Sequence, residues 1–125
     1  MRQAEVRYQD HWTDDAEYLV VGFGTAGRVA HTAVKHARAA GLKVGLHRPI
    51  SLFPFPEQHL TQLARRMKRI LVVEMNAGQM VEDVRLAANG ATPVEFYGRM
   101  GGTVPLPDEV FEQIQKMANG ATHVG

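Results

Sequence analysis

Hydrophobic positions along this chain fall into two kinds of run. Short apolar stretches occur at residues 18–23 (Tyr-Leu-Val-Val-Gly-Phe), 42–46, 70–73 and 94–97. Apolar runs without strict alternation suit strands covered on both faces, as in the interior of a parallel sheet. Between them, apolar residues recur three and four apart. Val29, Ala30, Ala33, Val34 and Ala37 form one stripe, and Leu60, Leu63, Ala64 and Met67 a second. Met80/Val81, Val84 and Ala87/Ala88 form a third, and Val110, Phe111, Ile114 and Met117 a fourth. Each stripe predicts an amphipathic helix. Strands alternating with helices across short loops imply right-handed βαβ units and an α/β fold, a mostly parallel sheet with helices on both faces. The strand order stays open. Residues 5–9 (Glu-Val-Arg-Tyr-Gln) alternate polar and apolar and are read as a short edge strand, followed by a turn at Asp14-Asp15.

Punctuation residues agree with these elements. Gly24 and Gly27 break the first long strand and open a helix, and Gly41 closes that helix at the C′ position. Pro56 fits the first position of the second helix, with Glu57 favourable to its dipole and Arg65, Arg66 and Lys68 at the opposite end. Pro107-Asp-Glu opens the last helix. Ala88-Asn-Gly-Ala-Thr92 recurs as Ala118-Asn-Gly-Ala-Thr122, an echo that shared capping chemistry explains without an internal repeat. The segment 49–56 is rich in proline and apolar, so an exposed Leu-Phe-Pro-Phe with Phe53 and Phe55 would need covering.

The chain's 125 residues predict one domain, 1–125. Its net charge of +1 gives no electrostatic case for nucleic acid or an acidic membrane. No apolar run approaches the roughly 20 residues a membrane span needs, and the first residues lack a signal-peptide core, so a cytoplasmic location is expected. The absence of cysteine excludes disulfides, thiolate zinc sites and cysteine-ligated iron–sulfur clusters within these 125 residues.

Two places carry candidate chemistry. Residues 70–80 begin as a buried strand and turn polar at Glu74, Asn76 and Gln79. Open α/β sheets place their sites at the carboxyl ends of strands. These side chains either contact a ligand or partner there, or cap the next helix. A carboxylate after a buried strand calls for a partner, and Arg48 and Arg99 are assigned to the same edge, so a Glu–Arg bridge is expected. The second place is Gly22-Phe-Gly-Thr-Ala-Gly27, a G-x-G-x-x-G between a strand and a helix. It matches a dinucleotide fingerprint, which also wants an acid about 20 residues on. His47-Arg48 stands there instead, and Arg48 would suit a 2′-phosphate. An autonomous NADP-binding module using Gly22, Gly24, Gly27 and Arg48 is therefore the alternative reading. The simpler one is a tight strand-to-helix turn. The six histidines show no metal-ligand spacing and are read as surface or loop residues, so no metal is expected. A receiver domain would want acids at the end of the first strand, and a flavodoxin more hydroxyls than Thr25. No catalytic set stands out.

Three segments resemble a known family. Residues 48–57 (Arg-Pro-Ile-Ser-Leu-Phe-Pro-Phe-Pro-Glu), residues 73–85 (Val-Glu-Met-Asn-Ala-Gly-Gln-Met-Val-Glu-Asp-Val-Arg) and residues 98–102 (Gly-Arg-Met-Gly-Gly) are similar to the C-terminal part of the α subunit of 2-oxoacid:ferredoxin oxidoreductases. The 2-oxoglutarate and branched-chain types match best, from about Val6 to Met117. The resemblance implies a transketolase C-terminal-like domain with about five strands, one antiparallel, and the strand near residues 5–9 is the candidate for it. It also implies a parent enzyme that uses thiamine diphosphate, magnesium and iron–sulfur clusters to convert a 2-oxoacid and CoA to an acyl-CoA and CO2, reducing ferredoxin. Those cofactors would lie in other domains and subunits, so this chain would bind none. It would be a fragment or piece of the α subunit, inactive alone. Its partners would be the rest of the α subunit, the β subunit and, in some enzymes, γ and δ, in a homo-oligomeric assembly. Thr25, Arg48, Phe53, Phe55, Glu74, Asn76, Gln79 and Arg99 would be interface or strand-edge polar positions. Gly27, His47 and Met100 depart from the family pattern, where alanine or serine, an aliphatic residue and proline respectively are common.

Overall fold

The computed structural model describes residues 8–49, 57–74, 79–88, 92–98 and 106–120. The elements run β1 (Tyr8–His11), β2 (Tyr18–Gly22), α1 (Thr25–Ala39), β3 (Val44–Pro49), α2 (Glu57–Ala64), β4 (Arg69–Glu74), α3 (Gln79–Ala88), β5 (Val94–Gly98) and α4 (Pro107–Gly120). They build one sheet in the order β1-β3-β2-β4-β5. β1 runs antiparallel to β3, and the other neighbours are parallel.

Alternation along the strands divides the core in two. Leu19, Val21, Ile70 and Val72 face one side and pack with Leu60, Leu63 and Ala64 of α2 and Val84, Ala87 and Ala88 of α3. Val20, Val44, Leu46, Leu71 and Val73 face the other and pack with Ala26, Ala30, Ala33, Val34 and Ala37 of α1 and Val110, Ile114 and Met117 of α4. Burying a Val, Leu or Ile side chain stabilises by about 1.5–3 kcal/mol, so this three-layer arrangement is where the stability resides. β4 is buried from Ile70 through Glu74, as an unbroken apolar run requires.

The helix α1 ends as its sequence indicates. The Gly41 N–H donates to Arg38 O and the Leu42 N–H to Ala37 O, each at 3.0 Å. With Gly41 at φ +93°, this is a Schellman cap. Gly45 serves a close approach: a Cβ there would meet Trp12 O at 2.9 Å and Thr13 Cα at 3.1 Å. The chain leaving β1 crosses directly over β3 at that point, where Trp12 adopts φ +57°. Arg38 holds the same crossing with two hydrogen bonds to Asp15, of 2.8 and 2.9 Å, and a third to Val44 O at 2.9 Å.

Several boundaries move from the sequence expectation. The edge strand is described over Tyr8–His11, two residues past the end of the expected 5–9, because its register is set by pairing with residues 46–49 of β3; residues 5–7 lie outside the described residues. β3 extends through His47, Arg48 and Pro49 for the same reason. α2 stops at Ala64, so Met67 is buried from the following turn rather than from the helix stripe. Arg65, Arg66 and Lys68 lie past that helix end, and Lys68 pairs with Glu17 at 3.3 Å.

Candidate functional site

β2 and β4 are neighbours, yet α1 leaves β2 towards one face and α3 leaves β4 towards the other. The carboxyl ends of these two strands therefore form the topological switch point of the sheet. Gly22, Phe23 and Gly24 stand on one side of it and Glu74 on the other, with Gly22 in register with Val73.

The glycines of the fingerprint have separate roles here. A Cβ on Gly22 would lie 3.0 Å from Gly27 Cα, and one on Gly27 would lie 2.9 Å from Gly22 O and 2.8 Å from Arg48 Nε. This pair lets α1 sit directly against β2. Gly24 is the N-cap of α1, at φ +62° with open space where a Cβ would go, and no side chain caps the helix. Thr25 opens the helix and is exposed.

Of the two arginines considered for a Glu–Arg bridge, Arg48 does not pair with Glu74, for a reason of parity, and Arg99 lies outside the described residues. Ile70 and Val72, on Glu74's face, belong to the α2/α3 side, whereas Val44 and Leu46, on Arg48's face, belong to the α1/α4 side. The two side chains project to opposite faces of the sheet. Glu74 is buried and engaged elsewhere. Arg48 Nε is buried against Gly27 with no hydrogen-bond partner among the described residues. Phe53, Phe55, Asn76 and Arg99 lie outside the described residues, and Gln79 is placed only as the first residue of α3.

Four of the histidines depart from the surface positions expected, whereas His36 is exposed and His123 lies outside the described residues. His47 is fully buried within β3. Its Nδ1 lies 2.6 Å from Asp10 Oδ1, and His59 Nε2 of α2 lies 2.5 Å from Asp10 Oδ2. Tyr8 stacks on the His59 ring at 4.1 Å with 12° between planes. Burial works to raise the Asp10 pKa, but hydrogen bonds from both imidazoles and their charge outweigh it, so the carboxyl sits below its ordinary value. On the other face of β1, His11 meets His31 of α1 edge-on at 4.9 Å, with Trp12 beside them. Burial, then the charges of His11, Arg48 and Lys35, push the His31 pKa down. Sequence spacing missed both groups because β1, β3 and the helices meet only in the folded sheet.

Residues 16–110 match the family model for the pyruvate:ferredoxin oxidoreductase core domain II. The chain belongs to this family.

As a core domain II, it is 44% identical over 122 residues to ketoisovalerate oxidoreductase subunit VorB of Methanothermobacter thermautotrophicus, covering 98% of this chain and 34% of that protein. The chain thus spans about a third of the length of this relative. Among solved structures it is similar to a 2-oxoglutarate:ferredoxin oxidoreductase from Magnetococcus marinus with 2-oxoglutarate, coenzyme A and succinyl-CoA bound. That likeness has a TM-score of 0.76 and 21% identity, over 88% of this chain and 19% of that one. A split-gene transketolase, an inactive β4 tetramer, gives a TM-score of 0.74 at 18% identity, over 88% of this chain and 40% of that one. These likenesses carry the fold: the domain is transketolase-like, with its antiparallel strand at the sheet edge. No helix among the described residues is long and apolar enough to cross a membrane.

Proposed function

We propose that this domain II serves the assembly of a thiamine-diphosphate-dependent 2-oxoacid:ferredoxin oxidoreductase, as the C-terminal domain of its α subunit, and performs no chemistry of its own. The supporting observation is the match of almost the whole chain to about a third of an oxidoreductase subunit. The geometry agrees. Around the switch point, the described residues offer glycines, Phe23 and a single carboxylate, Glu74, with Arg48 on the opposite face of the sheet. A thiamine diphosphate with its magnesium needs several converging oxygen ligands. One carboxylate does not supply them, and no step is assigned to the cofactor here. Exposed apolar side chains supply surfaces for neighbouring domains, with Leu86 at 70% exposure, Leu106 at 61% and Phe23 at the tip of β2 at 37%. In this reading the location is cytoplasmic and the partners are the remaining α and β subunits, with ferredoxin as acceptor of the complex.

Reconstitution tests it. The chain alone, with a 2-oxoacid, thiamine diphosphate, CoA and ferredoxin, should give no acyl-CoA. Joined with the remaining subunits it should support turnover, and Phe23→Asp or Leu106→Asp should reduce recovery of the assembled complex on size exclusion. Acyl-CoA formation by the isolated chain would refute the reading.

Gly24, with positive φ and open space beside it at an uncapped helix start, favours one second reading, the NADP-binding module using Gly22, Gly24, Gly27 and Arg48. Titration with NADPH decides it: saturable binding lost in Arg48→Ala supports it, and no binding at millimolar nucleotide refutes it.

A further inference from the structure

We propose that Asp10, His47 and His59 form a binding site for a divalent transition metal of the zinc class, tying the edge strand β1 to β3 and α2. The donor atoms come from three separate elements and all lie within 4.8 Å of one another. Two imidazoles and one carboxylate are the donor set of sites that hold Zn2+, Co2+ or Fe2+ with open positions, and imidazole donors disfavour Mg2+ and Ca2+.

The surroundings hold the donors in place. Asp10 and His47 face each other across the β1–β3 pair, in register. His47 is wholly buried, and the side chains of Asp10 and His59 retain 19% and 28% of their surface. The Tyr8 ring lies flat on His59 and tilted against His47, at 4.1 and 5.5 Å, which restricts both imidazoles. The site is closed on the strand side and open towards solvent past Asp10 and His59, so water can complete the coordination.

Distances and tautomers set how the metal would enter. The carboxylate lies 2.6 Å from His47 Nδ1 and 2.5 Å from His59 Nε2. Without metal each nitrogen facing the ionised carboxylate carries a hydrogen, since the carboxylate can only accept. Bonds of about 2.0 Å around tetrahedral zinc separate neighbouring donors by about 3.3 Å, so the carboxylate has to withdraw by less than about 1 Å. Both imidazoles must then present a lone pair, and their protons move to the other ring nitrogens. Water can satisfy that nitrogen on half-exposed His59. On His47 it is Nε2, which is buried with no hydrogen-bond partner among the described residues. A buried unpaired donor weakens binding by about one to two orders of magnitude relative to a site in which that nitrogen is satisfied.

The test uses the 125-residue chain stripped of metal by chelator and titrated with Co2+, followed by visible ligand-field absorption and by thermal unfolding with Zn2+. One Co2+ per chain, with tetrahedral bands and a Zn2+-dependent rise in Tm, is expected. His59→Gln, on the half-exposed helix, and Asp10→Asn, which keeps the shape, should each weaken binding by more than about tenfold while leaving the far-ultraviolet circular dichroism unchanged. His31→Gln, in the separate imidazole group, should bind as the parent does. Absence of Co2+ bands at millimolar metal, or binding unaffected by both His59→Gln and Asp10→Asn, overturns the proposal. Neither outcome depends on the oxidoreductase reading, because no turnover is measured.

Discussion

Replacing Gly27 by alanine tests why the fingerprint glycines are there. The new Cβ would sit 2.9 Å from Gly22 O, 3.3 Å from Gly22 C and 2.8 Å from Arg48 Nε. Contacts below 3.0 Å are not tolerated by real Cβ atoms, so something must move. Arg48 is a side chain and can withdraw. The Gly22 carbonyl belongs to β2, held between β3 and β4, and cannot. α1 must therefore lift from the sheet, loosening Ala26 and Ala30 behind it, both buried. Overpacking of this kind costs about 1–3 kcal/mol. Alanine recovers up to about 1 kcal/mol over glycine within a helix. The net expectation is a loss of about 1 kcal/mol.

Urea unfolding followed by circular dichroism reads this as a lower midpoint at unchanged slope. The Arg48→Met variant, with and without Gly27→Ala, completes a double-mutant cycle. If Arg48 carries part of the clash, the pair should couple by at least about 0.5 kcal/mol. A Gly27→Ala protein more stable than the parent, with no coupling to Arg48, would refute the packing account. It would leave Gly27 as a residue kept for something that binds beside it.

Other perturbations follow from the same structure. Thr92 Oγ1 donates to Ala64 O at 2.6 Å in a buried setting, so Thr92→Val should cost about 1–2 kcal/mol in denaturant unfolding, and no change would refute that assignment. Leu71 is buried in β4 between both neighbours, and Leu71→Ala should lose about 2–5 kcal/mol by the same assay. Asp10 has its pKa lowered in the fold, so its contribution is present above the unfolded value of about 3.9 and is lost as pH falls through the lower folded value. Tm measured against pH should thus fall less steeply on the acid side below about pH 4 in Asp10→Asn than in the parent, and identical acid limbs would refute a stabilising role for ionised Asp10 between His47 and His59.

What was legible in the sequence follows the range of the forces involved. β4 and α1 are announced by their own residues: an unbroken apolar run, and an alanine-rich stripe ended by Gly41. The α/β class follows from their alternation. β1 was only half legible. It is four residues long and largely exposed, and its register comes from β3, so residues 5–9 carried little signal. The face of a strand residue is readable by parity, but only once the run's limits are known. Ending β3 at Leu46 instead of Pro49 hid the fact that Arg48 continues the face of Val44 and Leu46. It left Arg48 among the two candidates for the bridge to Glu74, the other being Arg99, which lies outside the described residues. The histidine groups lay out of reach for a different reason: Asp10 meets partners 37 and 49 positions away, and no local spacing encodes such a meeting.

The placement of polar side chains bears on what kind of domain this is. A site at a switch point needs groups that converge on one crevice. Here Gly22 and Gly27 bring α1 against β2 so closely that no side chain fits between them. Arg48 fills the space beside that contact on one face, while Glu74 projects to the other. Sheet parity thus separates Arg48 and Glu74, the charged groups described at the edge where chemistry would be expected. Asp10, His47 and His59 converge instead beside the edge strand β1, where Asp10 links a strand to a helix. Groups placed there tie the edge strand to β3 and α2.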